Sequence, residues 1–528
     1  MSGTDLHAPL LGVAQRWLPR ILTQICRDPT SPIYGCADRN WWHYKIRDFS
    51  SIILQQAGYA LHQAAKLPEW QDDAQALDAI AAASARFWNV RAQKHYAFEE
   101  YYPWEQGYPP LAFATLAVAK LVHEGVVPVD DVSAGLRIAA RQLRTRFEDK
   151  AANQQVAGLA ALAWVDKVLP DEADPAAFAA QKAKTLALQH AEGWYWEYDG
   201  PDVGYLAVTI DCLWDLYDAT GDADFRASIA SALAYMAEYP AAAPHGIGLH
   251  NSRNTDYLVP YGIVRSALEG DEAERRHAAS VAIWAFANAD GDDHTYAATD
   301  DRYICHYIGH SVLRALALFG PARRLATETP QSAPRLLEGC GHYLDAGLIV
   351  SARKGGIVTL SGESGEASDF GWIVARGKTQ FVTHWWSPDW SVRAEDRGVT
   401  VEGNMFAHRE KLSTPFKHIV LRVLSFVLGR RLIAILKRVL IFKRGGKAEP
   451  AFTRRIRRDG SGLEIIDRIS GMQAGDALLR APRASKRHVA SADSFHAQDL
   501  GLLRGYALTE ERSDMDGAAE IVTRISPR

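Results

Sequence analysis

The sequence predicts a multidomain α + β chain: an N-terminal (α/α)6 toroid of helical hairpins over residues 1–345, followed by a C-terminal antiparallel β-sandwich over residues 346–528. Three observations predict it. Polar-aromatic clusters recur through the first two thirds of the chain, each followed by an apolar helix pair. With Asn40, Tyr101, Asn153, Tyr205, Asn254 and Asp301 as markers, the steps are 61, 52, 52, 49 and 47 residues. A period of this size is one supersecondary unit repeated. Beyond about residue 345 the helical spacing gives way to short, β-branched, glycine-bounded runs.

Residues 49–66 and 72–92 form the first predicted helix pair, rich in Ala, Leu and Gln with apolar residues at i, i+3 and i+4. Similar pairs follow at 110–124 and 131–147, 154–168 and 174–190, 205–219 and 222–238, 257–269 and 272–289, and 303–318 and 332–344. Pro, Gly or Asp punctuates most joints, as in Pro170-Asp-Glu-Ala-Asp-Pro and Thr220-Gly-Asp-Ala-Asp. Six hairpins closing into a ring place all six clusters at one mouth; an open solenoid is the alternative that the same period allows. In the second part, 348–353, 356–360, 371–376, 380–386, 398–403, 451–457, 462–469 and 520–526 carry strand signals.

One segment interrupts the sandwich. Residues 411–448 hold ten Lys or Arg and no Asp or Glu. No apolar run there exceeds five residues, so the segment does not span a bilayer. Two short basic amphipathic helices hinged at Gly429 fit it, and such helices lie in an anionic membrane interface. An insertion packed on the protein's own surface, or a dimer contact, is the competing reading.

Composition excludes little and points one way. The formal charge is −4 and 23% of the 528 residues are charged, which gives no indication of nucleic-acid binding. The 15 Trp and 20 Tyr concentrate in the clusters, where flat rings beside polar groups suit sugar rings. Trp42, Tyr101 and Trp194 are candidate sugar platforms, with interior packing as the alternative for any of them. Five scattered cysteines without a CxxC resemble a reduced compartment. Residues 8–27 are interrupted by Arg16, Pro19 and Arg20 and lack the apolar core of a signal peptide. Cytoplasmic residence, with peripheral contact to the inner membrane, is the expectation.

Asn153-Gln-Gln-Val-Ala-Gly opens one helix, and Glu192-Gly-Trp-Tyr-Trp-Glu-Tyr-Asp-Gly-Pro-Asp-Val-Gly-Tyr205 leads into the next. This stretch resembles the heparinase II/III-like polysaccharide lyases and their alginate-lyase relatives. In those proteins an Asn-His pair starts one inner helix and a following segment supplies a Tyr. The resemblance implies a toroid followed by a β-sandwich, an acidic polysaccharide or oligosaccharide as partner, no cofactor, and β-elimination. It also implies that Asn153 binds the uronate carboxylate and Tyr205 transfers protons. Gln154 stands where the family often has His; it can donate a hydrogen bond to substrate but cannot act as a base. His384, in Thr383-His-Trp-Trp, stands alone where the family has a second His-containing segment.

The chemistry explains these residue types. Removing the proton at C5 of a uronate needs donors that stabilise an enediolate, a base, and an acid for the departing 4-oxygen. His250, Arg253, Asn254, Tyr257 and Tyr261 crowd into twelve residues at the fifth mouth position. There His250 and Tyr257 are further candidates for proton transfer, and Asn254 and Tyr261 for binding. Arg253 suits bidentate pairing with a carboxylate, or a salt bridge beside a capped helix. His306 and His310 lie at i, i+4, but without a third ligand they make a metal site improbable; His306 is counted as a substrate-binding candidate. Glu99, Glu100, Asp300 and Asp301 supply the carboxylates for a rival glycoside hydrolase. A third reading is a non-catalytic glycan-binding or exopolysaccharide assembly protein.

Overall fold

The computed structural model describes residues 3–94, 97–198, 200–242, 255, 257–292, 294–326, 335–337, 342–345, 348–351, 357–360, 371–383, 391–395, 398–408, 413–436, 450–459, 462–481 and 506–527. The helices of the first part are α1 (His7–Gln24), α2 (Arg39–Trp42), α3 (Ala57–Ala65), α4 (Ala74–Gln93), α5 (Tyr108–His123), α6 (Val129–Thr145), α7 (Ala152–Val168), α8 (Pro175–Leu186), α9 (Val203–Thr220), α10 (Ala223–Met236), α11 (Tyr239–Ala242), α12 (Tyr261–Glu269), α13 (Glu272–Phe286), α14 (Asp301–Ile304) and α15 (Tyr307–Phe319).

The neighbour relations close a ring. α3 packs on α5, α5 on α7, α7 on α9, α9 on α12, α12 on α15, and α15 back on α3. Each inner helix carries an outer partner: α4, α6, α8, α10 and α13 for the first five, and α1 for α15. The sequence explains which helices lie inside. α7, with its run Val156-Ala-Gly-Leu-Ala-Ala-Leu-Ala-Trp-Val, is buried over nearly its whole length, as a helix that is apolar all round must be. α6 buries only one stripe, Val132, Leu136, Ile138, Ala139, Ala140 and Leu143. Small residues let inner helices approach closely: a Cβ on Gly158 of α7 would lie 2.4 Å from the Tyr108 hydroxyl of α5.

Two corrections to the predicted elements follow. Residues 332–344 do not supply the sixth outer helix. Their described residues are strands β1 (Arg335–Leu337) and β2 (His342–Asp345), which pair antiparallel. The sixth outer position is filled by α1, so the ring closes through its N-terminal helix.

A buried ion cluster sits inside the ring. Asp215 of α9 accepts from Lys120 of α5 and from Arg314 of α15, the latter at 2.6 Å. One turn earlier, Asp211 accepts from the Gly262 amide of α12 at 2.6 Å and from the Ser311 hydroxyl of α15 at 2.6 Å. The Arg314 guanidinium lies 3.4 Å from the Tyr261 ring centroid. Three inner helices, α5, α12 and α15, are thereby tied to two carboxylates of α9.

The second part contains β3 (Leu348–Ser351), β4 (Ile357–Leu360), β5 (Gly371–Arg376), β6 (Thr379–Val382), β7 (Ser391–Glu395), β8 (Gly398–Asn404), β9 (Phe406–His408), β10 (Ala451–Asp459), β11 (Gly462–Ser470), β12 (Ala477–Ala481), β13 (Tyr506–Met515) and β14 (Ala518–Pro527), with helices α16 (Pro415–Leu428) and α17 (Arg430–Leu436) inserted after β9. β1 to β4 form one antiparallel sheet in chain order. A six-stranded sheet, β13-β14-β11-β10-β8-β7, faces a four-stranded sheet, β12-β5-β6-β9, across a shared apolar core that includes Trp372, Val374, Val401, Ile456, Ile465 and Ile521. The inward residues alternate along β11 and β14, as a half-buried strand requires. Arg454 and Asp467 face each other across β10 and β11 and pair at 2.6 Å, while the indole of Trp372 from the opposing sheet donates to Asp467 at 2.7 Å. The predicted α/α toroid followed by an antiparallel sandwich is therefore the observed fold.

Asp215→Ala leaves Lys120 and Arg314 buried without their shared counter-charge. Removing one partner of a buried ion pair costs about 3–5 kcal/mol, so the variant is expected to unfold at a markedly lower denaturant concentration. A midpoint unchanged from wild type would mean that the cluster does not hold the ring.

Candidate active site

The inner helices α5, α7, α9, α12 and α15 begin at Tyr108, Ala152, Val203, Tyr261 and Tyr307, and the segment just before each belongs to a polar-aromatic cluster. Neighbouring clusters are stitched together. The Ile52 amide donates to the Glu99 carbonyl at 2.8 Å, the Tyr198 amide to the Lys150 carbonyl at 2.6 Å, and the Thr255 amide to Asp202 at 3.4 Å. Arg302 donates to Glu100 at 3.0 Å, which joins the sixth cluster to the second. These links join the first, second and sixth clusters, and the third, fourth and fifth, through their described residues.

α9 shows how local sequence positions a site residue. Asp202 caps it by accepting the Tyr205 amide at 3.0 Å, satisfying one of the orphan donors at a helix start. Gly204 is required because a Cβ there would lie 2.6 Å from the Tyr257 carbonyl oxygen. This close approach sets the first turn of α9 against the segment leading into α12. Tyr205 and Tyr257 are electrostatic neighbours, and the Tyr257 hydroxyl lies 2.8 Å from that of Tyr307 at the start of α15. Burial first, and the neighbouring Tyr205 second, push the Tyr257 phenol well above its usual value. Burial and then Tyr257 do the same to Tyr307. Both are therefore protonated near neutrality. Tyr205 itself is only 4% exposed.

His306 precedes Tyr307 and lies edge-on to Tyr303 at 5.0 Å between centroids. Burial, helped by the Arg302 charge, holds its imidazole well below the usual range, so it is neutral. Its Nε2 is buried with no hydrogen-bond partner among the described residues. On α7, the backbone and side-chain amides of Asn153 both donate to Glu197, at 2.6 and 2.8 Å. Gln154 donates to the Tyr198 hydroxyl at 3.3 Å, and its own carbonyl oxygen is buried without a partner among the described residues.

The remaining expected site residues fall in different places. Tyr101 stands on the rim, 60% exposed, with the Arg302 guanidinium over its ring at 5.1 Å. Trp42 is half-buried and donates to the Gln24 carbonyl at 2.8 Å. Trp194 is buried, stacked on His190 at 4.3 Å and edge-on to Trp196. Tyr261 turns toward the ring interior, where its hydroxyl accepts from Arg265 at 2.9 Å. His250, Arg253, Asn254 and His384 lie outside the described residues. Sequence reasoning did not single out Tyr307, Tyr303, Arg302 or Glu197. The first three sit in or beside the sixth cluster, so that cluster's position was the available signal. Among the described residues no group of three or more His, Cys, Asp or Glu is placed to hold a metal ion.

The acidic residues of the rim are engaged. Glu99 accepts from Arg91 at 2.8 Å and from the Trp104 amide at 2.7 Å. Glu105 accepts from the amides of Glu100 and Tyr101 at 2.9 and 2.7 Å. Asp301 pairs with Arg20 at 2.7 Å, and Asp300 caps α14.

No family model matches the chain, and no curated protein does. Two solved structures resemble it along 99% of its length and 78% of theirs: Streptomyces coelicolor A3 chondroitin AC lyase in complex with chondroitin sulphate, and a tyrosine-to-alanine variant of that enzyme. The first is 10% identical with a TM-score of 0.39, the second 12% identical with a TM-score of 0.38. Likenesses this distant carry no argument about activity, and neither singles out the heparinase II/III-like family.

Burial, with Glu100 adding to it, raises the Glu105 carboxyl to about 8. A carboxyl raised above its unfolded value binds its proton more tightly when folded. The stability it contributes is full below about pH 4.5 and is lost as pH rises through about 8. Glu105→Gln keeps an acceptor for the two amides and cannot ionise. Its thermal stability should therefore change less than that of wild type between pH 5 and 9; parallel profiles for the two proteins would show that Glu105 does not titrate in this window.

Proposed function

We propose that the chain is a polysaccharide lyase that cleaves a uronate-containing acidic polysaccharide by β-elimination at the toroid mouth. The observation that carries this reading is the gathering of proton-transfer groups at the starts of adjacent inner helices. Tyr205, Tyr257 and Tyr307 come from α9, the segment before α12, and α15, with neutral His306 beside them. Asn153 begins the neighbouring α7. In the reaction a base takes the C5 proton, the C4–O4 bond breaks, a C4–C5 double bond forms, and an acid protonates the departing oxygen. Tyr205 is assigned the proton transfer and Asn153 the uronate carboxylate, with Gln154 as a second donor. Tyr257 and Tyr307, kept protonated by burial, suit the acid, and Tyr101 offers an exposed ring to a sugar. His250, Arg253, Asn254 and His384 keep their expected places in this scheme, as base and as substrate donors.

The hydrolase alternative needs two carboxylates facing a scissile bond. Glu99, Glu100, Glu105 and Asp301 are all committed to arginines or backbone amides, which weighs against it.

Incubation of the purified protein with a panel of acidic polysaccharides should produce the ultraviolet absorbance of an unsaturated uronate. Tyr205→Phe should lower kcat by about 10²-fold or more, the scale of a lost general acid–base group, with binding and thermal stability retained. Reducing ends without the absorbance would mean hydrolysis. Binding without either product would mean a non-catalytic glycan-binding or assembly protein, and full kcat in Tyr205→Phe would remove that residue from the mechanism.

A further inference from the structure

We infer that α16 is a membrane-docking element and that it seats the toroid mouth on an anionic lipid surface. The inference rests on the helix and its rim contacts alone, independently of the lyase reading.

α16 is attached to the toroid by one side only. Ser425 is buried and donates to the Pro103 carbonyl at 2.9 Å. Arg422 pairs with Asp48, its Nη2 lying 3.0 Å from Oδ1. Phe426 lies edge-on to Trp104 at 5.6 Å. These contacts place the helix on the mouth rim, between the first and second clusters. The other face is Phe416, Ile419, Val420, Val423, Leu424 and Val427, at i, i+3, i+4, i+7, i+8 and i+11, which is one continuous helical stripe. All six are exposed, Phe416 by 73% and Val427 by 70%. A stripe that would be core in a buried helix is here turned outward.

The adjoining rim continues the pattern. Ile46 is 72% exposed two residues before Asp48, and Tyr101 is exposed two residues before Pro103. Two exposed apolar side chains, Ile46 and Tyr101, thus lie within two residues of the positions that hold α16. Single exposed apolar residues need no explanation, but a contiguous patch marks an interaction surface.

Charge identifies the occupant. Lys417 on α16, and Arg430 and Arg431 just after it, are exposed. The segment 411–448 carries ten basic residues and no acid in a chain whose formal charge is −4. An apolar stripe flanked by Lys and Arg matches the boundary between acyl chains and anionic headgroups. An acidic polysaccharide would satisfy the charges but leave the apolar stripe in water. A second copy of this chain would bring a second exposed Lys417, Arg430 and Arg431 toward the first. No helix among the described residues is long and apolar enough to cross a membrane, so the contact is with the surface.

The test is co-sedimentation of the full-length protein with phosphatidylcholine vesicles, with and without phosphatidylglycerol. Wild type should bind the phosphatidylglycerol vesicles at least tenfold more tightly than pure phosphatidylcholine. The preference should shrink with added salt, because the attraction is screened over about 8 Å at physiological ionic strength. The double variant Val423→Glu and Val427→Glu alters exposed positions only, so it should stay folded by circular dichroism and lose the binding. Arg430→Glu with Arg431→Glu should lose the preference for phosphatidylglycerol. Wild type that ignores phosphatidylglycerol vesicles, or a folded stripe variant that binds them as well as wild type does, overturns the inference. Wild type that leaves vesicles unbound, and whose dimer on light scattering becomes a monomer in the stripe variant, overturns it in favour of a second copy.

Discussion

Two carboxylates one helical turn apart on α9 set the geometry on which the rest of the toroid depends. Asp215 joins Lys120 of α5 to Arg314 of α15, and Asp211 joins Gly262 of α12 to Ser311 of α15. Apolar packing alone tolerates sliding of one helix past another. A buried carboxylate does not, because displacement by a turn would leave a desolvated charge unpaired. The cluster therefore fixes the axial position of four inner helices at once. Because each helix start carries part of a cluster, fixing that position also fixes where the mouth residues stand relative to one another. Burial opposes the charge on Lys120 while Asp215 and Glu124 support it. Arg314 adds to that opposition, so Asp215, shared by both cations, is what makes their charges tolerable inside the ring.

The mouth applies the same logic to neutral groups. Gly204 permits the close contact that brings Tyr205 beside Tyr257, and the hydroxyls of Tyr257 and Tyr307 complete each other. These groups are nearly free of water, so their protonation states are set by burial rather than by bulk pH: phenols pushed up, the His306 imidazole pushed down. The phenols and the imidazole add no negative charge of their own to the mouth, while the carboxylates beside them, Glu197 and Asp202, accept from Asn153 and from the Tyr205 amide. The mouth suits hydrolysis poorly, since the rim carboxylates are tied into structure.

The ring was legible because its period is long-range and redundant. Six clusters near fifty residues apart survive local errors, and five of the six predicted pairs match observed helices. The sixth failed for a topological reason. A closed ring joins its last inner helix to whatever outer helix lies beside it, and sequence order does not reveal that α1 fills this place. The segment 332–344 looked helical by continuation of the period, yet its described residues pair as strands. The site was legible to the extent that its residues open helices: Asn153, Tyr205 and Tyr257 stand in or just before first turns. Partners such as Glu197 for Asn153, or Arg302 for Glu100, were not, since those pairs depend on how the loops cross the mouth. Trp194 shows the limit of composition. An aromatic in a polar cluster reads as a sugar platform, but here both neighbours on its own loop cover it.

The basic insertion changes meaning once its attachment is known. From sequence, a cationic amphipathic segment within a β-domain had no stated relation to the toroid. Its contacts with Asp48, Pro103 and Trp104 put it on the toroid rim beside the first and second clusters. A helix held by Arg422, Ser425 and Phe426 cannot turn its opposite face inward without breaking those contacts, so the outward stripe is built in by the attachment. Asp48 pairs with Arg422 at the attachment, while Lys417, Arg430 and Arg431 stay exposed. The rim that carries Tyr101 and the clusters therefore also carries α16, and the two move as one body through the contacts of Arg422 and Ser425.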